Sequence, residues 1–300
     1  MRNIRIGTRK SRLAMIQTEL VIEAYKKVWQ EFEYEIVPMS TRGDEQLKRS
    51  LSSFGGKGVF VTEIEDALRD GTIDLAVHSA KDLPLPIGEG LTIAATPVRE
   101  DARDVLVIPR KKYEQTASVS DNRDTLIIEA GNEDILKVLR NCQLKAVGTG
   151  SMRRQYQLKQ LIGAESKEIR GNVPTRLSKL DEGMYDAIML AAAGLKRLGM
   201  DRLQEYAYIY MDAVQFLPAP CQGIIAVEAR EDDPLLAQYA LIQDSMTRRA
   251  FELERKVMEE TGGSCKDIVG ALAVPAKGIE NCMEMHVLFN GEYTKKVIER

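Results

Sequence analysis

Ala76-Val77-His78-Ser79-Ala80-Lys81-Asp82-Leu83-Pro84 is an apolar run that ends in a dense group of polar side chains. Ile73, Leu75, Ala76 and Val77 read as a short buried strand, and Pro84 and Pro86 stop the chain from continuing in a sheet or entering a helix. Lys81 and Asp82 therefore stand at the carboxyl end of a strand, the end that borders the ligand crevice in open α/β sheets. An acid beside a base there is a candidate catalytic pair, set against the plainer reading of a solvated turn with a surface ion pair.

Working outward, Asn3 to Gly7 alternates like a strand, and Ser11 caps a helix whose apolar positions Leu13, Ile16, Leu20 and Ala24 recur at helical spacing. Glu35 to Met39 reads as a second strand. Thr62 and Glu65 have capping-box spacing ahead of Ile64, Ala67 and Leu68, with Gly71 ending that helix. This β-α-β-α-β order implies a largely parallel sheet with crossover helices. The charged run Arg99-Glu100-Asp101-Ala102-Arg103-Asp104 reads as a hinge into a second domain, and residues 110 to 143 as a surface insertion with a helix at Glu133 to Arg140. The βα rhythm resumes with a strand to Val147, a helix from Ser151, a strand near Ile169, a helix from Pro174 and the strand Ala187 to Leu190. Gly223 to Glu228 gives another strand, Pro234 to Met258 a long helical region, and the remainder alternates like a small β-rich domain. Two lobes around a cleft is the expected architecture.

The 300 residues suit two or three domains. No apolar run approaches the ~20 residues that span a bilayer, and Met1 to Arg12 lacks a signal-peptide apolar region, so a cytoplasmic location without membrane association is expected. Cys142, Cys221, Cys265 and Cys282 show no CxxC pairing, and His78 and His286 are the only histidines, so neither a zinc site nor a disulfide framework is indicated. A net charge of -3 with 6% aromatic residues argues against a dedicated nucleic-acid binder.

The candidate chemistry is anionic recognition. Val147-Gly148-Thr149-Gly150-Ser151-Met152-Arg153-Arg154 puts two arginines in a first helical turn, where the macrodipole disfavours cations, so something negative should compensate them, set against the plainer reading of a solvated basic turn. Free backbone NH groups, hydroxyls and paired guanidiniums there suit carboxylates or phosphates. Arg170 precedes the expected cap Asn172, Arg176 lies in the next first turn, Arg197 ends the Leu190 to Leu198 tract, and Arg9 precedes the opening helix. Phe54-Gly55-Gly56-Lys57-Gly58-Val59-Phe60 reads as a mobile lid or a flexible loop; it is not a Walker A loop, because Lys57 is followed by Gly58. Cys265, in Gly262-Gly263-Ser264-Cys265-Lys266, has a lysine neighbour that favours a thiolate, set against the commoner reading of a small buried hydrophobe. His78 reads as a structural hydrogen-bonding residue, and no hydrolase template fits.

Taken together, these motifs resemble the porphobilinogen deaminase family, also called hydroxymethylbilane synthases. The resemblance covers nearly the whole chain and includes Ile6-Gly7-Thr8-Arg9, Thr41-Arg42-Gly43-Asp44, Gly55-Gly56-Lys57-Gly58, His78 to Pro84, Arg99 to Asp104, Ser151 to Gln155, Arg170-Gly171-Asn172-Val173, Ala193 to Arg197 and Gln222-Gly223. It implies an α/β fold of three domains: two periplasmic-binding-protein-like lobes around a cleft, 1–98 with 224–242 and 99–223, and a small α+β domain, 243–300. It implies an enzyme of tetrapyrrole (heme) biosynthesis, a transferase that joins four porphobilinogen units into hydroxymethylbilane with loss of ammonia. Growth is primed by a dipyrromethane cofactor held through a thioether at Cys265. Asp82 matches the catalytic aspartate, which stabilises a cationic azafulvene. Lys81, Ser151, Arg153, Arg154 and Arg170 match cofactor contacts; Arg9, Ser11, Gln17, Arg153, Arg170, Arg176 and Arg197 match substrate contacts; Gly55, Gly56, Lys57 and Gly58 match the lid. A monomer that hands its product to the next pathway enzyme is implied, with no nucleic acid, membrane or metal. Ser264 and Ile268 depart from the family's usual glycine and proline, Cys221 stands where a glycine is usual, and the chain is expected to end early in its third domain. The rival readings are a two-lobed anion-binding protein without catalysis and a nucleic-acid-binding regulator.

Overall fold

The computed structural model describes residues 3–40, 61–117, 125–130, 133–262 and 267–299. In chain order the strands among them are β1 Ile4–Arg9, β2 Tyr34–Met39, β3 Leu75–Ser79, β4 Leu91–Ala95, β5 Asp104–Pro109, β6 Leu126–Ala130, β7 Val147–Gly148, β8 Ser166–Lys167, β9 Ala187–Ala191, β10 Tyr206–Met211, β11 Ile225–Arg230, β12 Val269–Pro275, β13 Cys282–Phe289 and β14 Glu292–Glu299. Backbone contacts divide the chain into a first unit, Met1–Glu100 with Cys221–Glu260, and a second, Asp101–Pro220 with Thr261–Arg300.

The first unit holds a sheet in the order β2-β1-β3-β11-β4. β1 runs parallel to β2 and β3, while β11 is antiparallel to both β3 and β4. The second unit holds the order β6-β10-β5-β9-β7-β8, in which only β5 runs against its neighbours. The reversed strand of each sheet is the first one formed after the chain crosses into that unit. Alternation along the strands explains why both faces are covered. Leu75 and Val77 pack with Val21, Ile22 and Tyr25 of the helix Arg12–Val28, whereas Ala76 packs with Ile64 and Leu68 of the helix Thr62–Arg69. In β10, Tyr206, Tyr208 and Tyr210 join one core and Ala207, Ile209 and Met211 the other. Fully buried side chains such as Leu106 and Ile108 each stabilise the fold by roughly 1.5–3 kcal/mol.

β12, β13 and β14 form a third, antiparallel sheet, which lies in the second unit. Leu272 and Leu288 pack on Leu217, and Ala271 donates its N–H to the Pro218 carbonyl. Gly270 permits this approach, since a Cβ there would lie 2.9 Å from Leu217 Cβ. Two α/β sheets and a small third sheet make up the α/β class expected of the family.

Several local expectations are corrected. Ser11 does cap the first helix, its Oγ accepting from Ala14 N at 3.3 Å, but the buried face is Ala14, Val21, Ile22 and Tyr25. Of the stripe Leu13, Ile16, Leu20 and Ala24, Leu20 is 47% exposed; two interleaved apolar stripes share this helix, and only the sheet selects between them. Thr62 is the first helical residue after the cap Val61, so no capping box forms, and Glu65 is buried instead. Residues 110 to 143, read as a surface insertion, supply β6 at the sheet edge and core side chains Leu126, Leu136 and Leu139. The strand near Ile169 is β8, two residues long and ending at Lys167. The helical region after Pro234 is broken into Leu236–Tyr239, a single turn at Ala240–Ile242 and the helix Ser245–Thr261.

That last helix, grouped on sequence with the third domain, packs in the first unit. Arg99 Nη1 and Nη2 bind Glu254 Oε1 and Oε2 at 2.6 and 3.1 Å, Arg99 Nε donates to the Gln222 carbonyl, and the Cys221 N–H donates to Glu254. Cys221 itself has φ of 61°, a left-handed conformation that favours glycine. Glu254 is fully buried, so Glu254→Ala leaves Arg99 without its carboxylate; a loss of about 3 kcal/mol in unfolding free energy is expected, checked by chemical denaturation.

Candidate active site

In the first unit, a pocket of about 90 Å³ opens at the carboxyl ends of β1 and β3. Its polar lining is Arg9, Ser11, Gln17, His78, Ser79 and Asp82. β1 ends at Arg9 and hands the chain to the Ser11 cap; β3 ends at Ser79 and turns through Ala80–Asp82, which leaves Lys81 and Asp82 exposed. Gln17 points from the first helix to Ser79, its Nε2 donating to Oγ at 2.9 Å. The strand-end reading of Asp82 therefore has its geometry: a solvent-facing carboxylate shares one pocket with a guanidinium and a helix N-terminus.

His78, part of this lining, is itself buried. Its Nε2 lies 3.1 Å from Glu228 Oε2, and Glu228 is fully buried.

In the second unit, the negative partner demanded by Arg153 and Arg154 is Asp104, the first residue of β5. Arg153 Nη1 lies 2.7 Å from Asp104 Oδ2, and Arg154 Nη2 and Nε lie 2.6 and 3.1 Å from Oδ1. Arg153 also donates to the Leu217 carbonyl and Arg154 to that of Met189. All three side chains are buried. Burial opposes ionisation of Asp104, but the two guanidiniums outweigh it and hold the carboxyl well below its ordinary range. Ser151 caps the helix Met152–Ile162, accepting from Arg154 N, and Asn172 caps Val173–Asp181, accepting from Thr175 N at 3.0 Å. Arg170 is half-exposed and pairs with Glu168.

Arg176 differs from these. Its Nε donates to the Gly171 carbonyl at 2.7 Å, and no carboxylate lies within ion-pair distance of it among the described residues. Burial first, and the like charge of Arg154 second, lower its pKa to about 10, so an anion placed there would be welcomed. Arg197 is half-buried at the end of Ala192–Arg197. Cys265 and the loop residues Gly55, Gly56, Lys57 and Gly58 lie outside the described residues.

Residues 4–238 match a family model described as "Porphobilinogen deaminase, dipyromethane cofactor binding domain". The chain belongs to the porphobilinogen deaminase family. A porphobilinogen deaminase of Streptococcus sanguinis is 40% identical over 275 residues, 91% of this chain and 82% of that protein. The one from Roseiflexus castenholzii is 42% identical over 277 residues, again 91% of this chain and 82% of that protein. Among solved structures, CbnR, a LysR family transcriptional regulator, covers 83% of this chain and 69% of that chain at 12% identity and a TM-score of 0.46, too slight a likeness to bear on function.

Sequence reasoning passed over Asp104, Glu228 and Glu254. Asp104 closes the charged run from Arg99, yet it also opens the apolar run Val105 to Ile108; Glu228 interrupts Ile225-Ala226-Val227 and Ala229. An acid inside a buried strand was the available signal. Because the folded carboxyl of Asp104 titrates below the unfolded value of about 3.9, its contribution is present above that pH and is lost as pH falls below it. In Asp104→Asn the decline of unfolding free energy between about pH 4 and pH 2 should flatten relative to the parent, measured by urea denaturation across that range.

Proposed function

We propose that the chain joins four porphobilinogen units head to tail into hydroxymethylbilane, releasing ammonia at each step, in tetrapyrrole biosynthesis. It is a transferase of the porphobilinogen deaminase family. The observation that carries the mechanism is the pocket where Asp82 meets Arg9 and the Ser11 cap. Loss of ammonia from an aminomethylpyrrole leaves positive charge on the ring, and a fixed carboxylate stabilises that charge. Arg9, with Ser11 and Gln17, would hold the acetate and propionate groups and orient the ring against Asp82. In the second unit Arg170, Arg176 and Arg197 would take carboxylates; Arg176 suits this best, being buried without an acidic partner among the described residues.

The family's dipyrromethane fits this donor set, since such a group brings carboxylates to guanidiniums. Lys81, Ser151, Arg153, Arg154 and Arg170 would hold it, Arg153 and Arg154 with the donors that Asp104 leaves unused. When bound, it supplies the tethered ring that primes growth. Cys265 is the attachment point of choice: burial pushes the thiols of Cys142 and Cys221 up, and Cys282 lies within β13, where its backbone is committed to the sheet. Gly55, Gly56, Lys57 and Gly58 would serve as the lid. The enzyme would work as a cytoplasmic monomer and pass its product to the next enzyme of the pathway; no helix among the described residues is long and apolar enough to cross a membrane.

Intact-mass measurement tests the reading. The purified protein should carry the added mass of a dipyrromethane, or gain it on incubation with porphobilinogen, and Cys265→Ser should not; absence of any adduct in the parent would overturn the proposal. Asp82→Asn should keep the parent's circular dichroism and melting temperature yet lose at least ~10²-fold in porphobilinogen consumption, measured by ammonia release.

A further inference from the structure

We propose that His78 and Glu228 form a proton-transfer dyad of the pocket, Glu228 positioning the imidazole through Nε2 and His78 Nδ1 taking up and returning a proton as ammonia is lost. This rests on the deaminase reading above and adds a second group to it.

The register of the sheet builds the dyad. β3 and β11 are antiparallel, with His78 opposite Ala226 and Ala76 opposite Glu228, so His78 and Glu228 are diagonal neighbours on one face. Nε2 lies 3.1 Å from Oε2. Glu228 has no exposure, its other oxygen Oε1 has no hydrogen bond, and His78 is its one side-chain partner among the described residues. A carboxylate that deep needs a donor or a proton, and the imidazole is placed to supply it. With the proton on Nε2, directed at Glu228, Nδ1 is left bare, and it has no partner among the described residues. His78 lines the same pocket as Asp82.

Charged groups surround this imidazole on several sides. From the helix Thr62–Arg69, Glu65 and Arg69 pair at 3.1 Å, and Glu65 Oε1 is buried without a partner. Burial, then the charge of Glu228, push the Glu65 carboxyl up. From the helix Ser245–Thr261, Arg255 is near Glu228 but donates to the Pro84 carbonyl at 2.7 Å. On the pocket side stand Arg9 and Asp82. Two buried acids thus face the imidazole, and one of them is already matched by Arg69.

The step balances on the substrate alone. As the bond from the methylene carbon to the ammonium nitrogen breaks, its electron pair leaving with nitrogen, positive charge develops on the ring, where Asp82 stabilises it, and Nδ1 then accepts the pyrrole N–H proton. The products are a neutral azafulvene, ammonia and an imidazolium held by Glu228. The imidazolium then returns its proton to ammonia, which departs as ammonium, and His78 is neutral again. Asp82 supplies fixed negative charge through this sequence, and the imidazole, of the class that exchanges protons nearest neutral pH, supplies the transfer.

Because the chain has only two histidines, selective ¹⁵N-histidine labelling of the full-length protein reads His78 directly, with His78→Gln giving the assignment. The expected state near neutral pH is a neutral ring protonated on Nε2. A ring protonated on Nδ1 alone, or doubly protonated throughout the working pH range, overturns the dyad, and this measurement needs no catalysis. In single-turnover ammonia release, His78→Gln and the isosteric Glu228→Gln should each slow the reaction by ~10²-fold or more, and the double variant should be little slower than either. Removing the carboxylate disfavours the imidazolium, so the acidic limb of the rate profile should move to lower pH in Glu228→Gln; an unmoved limb overturns the proposal. A parent protein that releases no ammonia from porphobilinogen would instead sink the functional reading, leaving the labelling result to decide the dyad.

Discussion

The buried meeting of Asp104 with Arg153 and Arg154 is the constraint on which the second unit depends. Three ionised groups give up their water there, and one carboxylate must satisfy two guanidiniums. Asp104 opens β5, the reversed strand of the sheet; the arginines start a helix; their remaining bonds go to the carbonyls of Met189 in β9 and of Leu217. Leu217 is also where the third sheet rests, through Gly270 and the Pro218 carbonyl. One ion cluster therefore fixes a strand, a helix and the seat of the third sheet together. It also leaves a net positive charge, which Arg176 feels as repulsion from Arg154.

Each unit presents its own arrangement of charge. The first presents an exposed carboxylate, Asp82, at a strand end, suited to positive charge that appears on a ring. The second holds Arg176, buried with no carboxylate within ion-pair distance among the described residues. Behind each surface lies a buried acid and base cluster, Glu228 with His78 in one and Asp104 with its arginines in the other. In a dry interior such partners hold one another in fixed orientation, so the surface groups are presented without reorganisation.

Much of this was legible in the chain. The apolar run ending at Asp82, the Ser11, Ser151 and Asn172 caps and the βα rhythm depend on short-range rules, because a cap or a strand end is decided by a few neighbouring residues. The misread elements each involve choices between local alternatives of similar strength. The first helix carries two apolar stripes; the region 110 to 143 is polar at its start and hides β6; Thr62 and Glu65 have the right spacing, but Glu65 is drawn into the interior beside Arg69 and Glu228. His78, read as scaffold, is joined to a carboxylate 150 positions away.

The sequence by itself determined the class of fold and the family, because strand periodicity, helix caps and short motifs are local facts that survive any arrangement of the elements; the arginines opposing a helix dipole called for negative charge but could not say whether a ligand or the protein supplies it. Only the tertiary structure decided which charges neutralise one another inside and which remain for a ligand. That choice placed Asp104 on Arg153 and Arg154, Glu254 on Arg99 and Glu228 on His78, and left Asp82 facing solvent. Its physical reason is desolvation: a charge is driven to the nearest partner that burial offers, and burial is a property of packed sheets and helices, which no stretch of residues can specify alone.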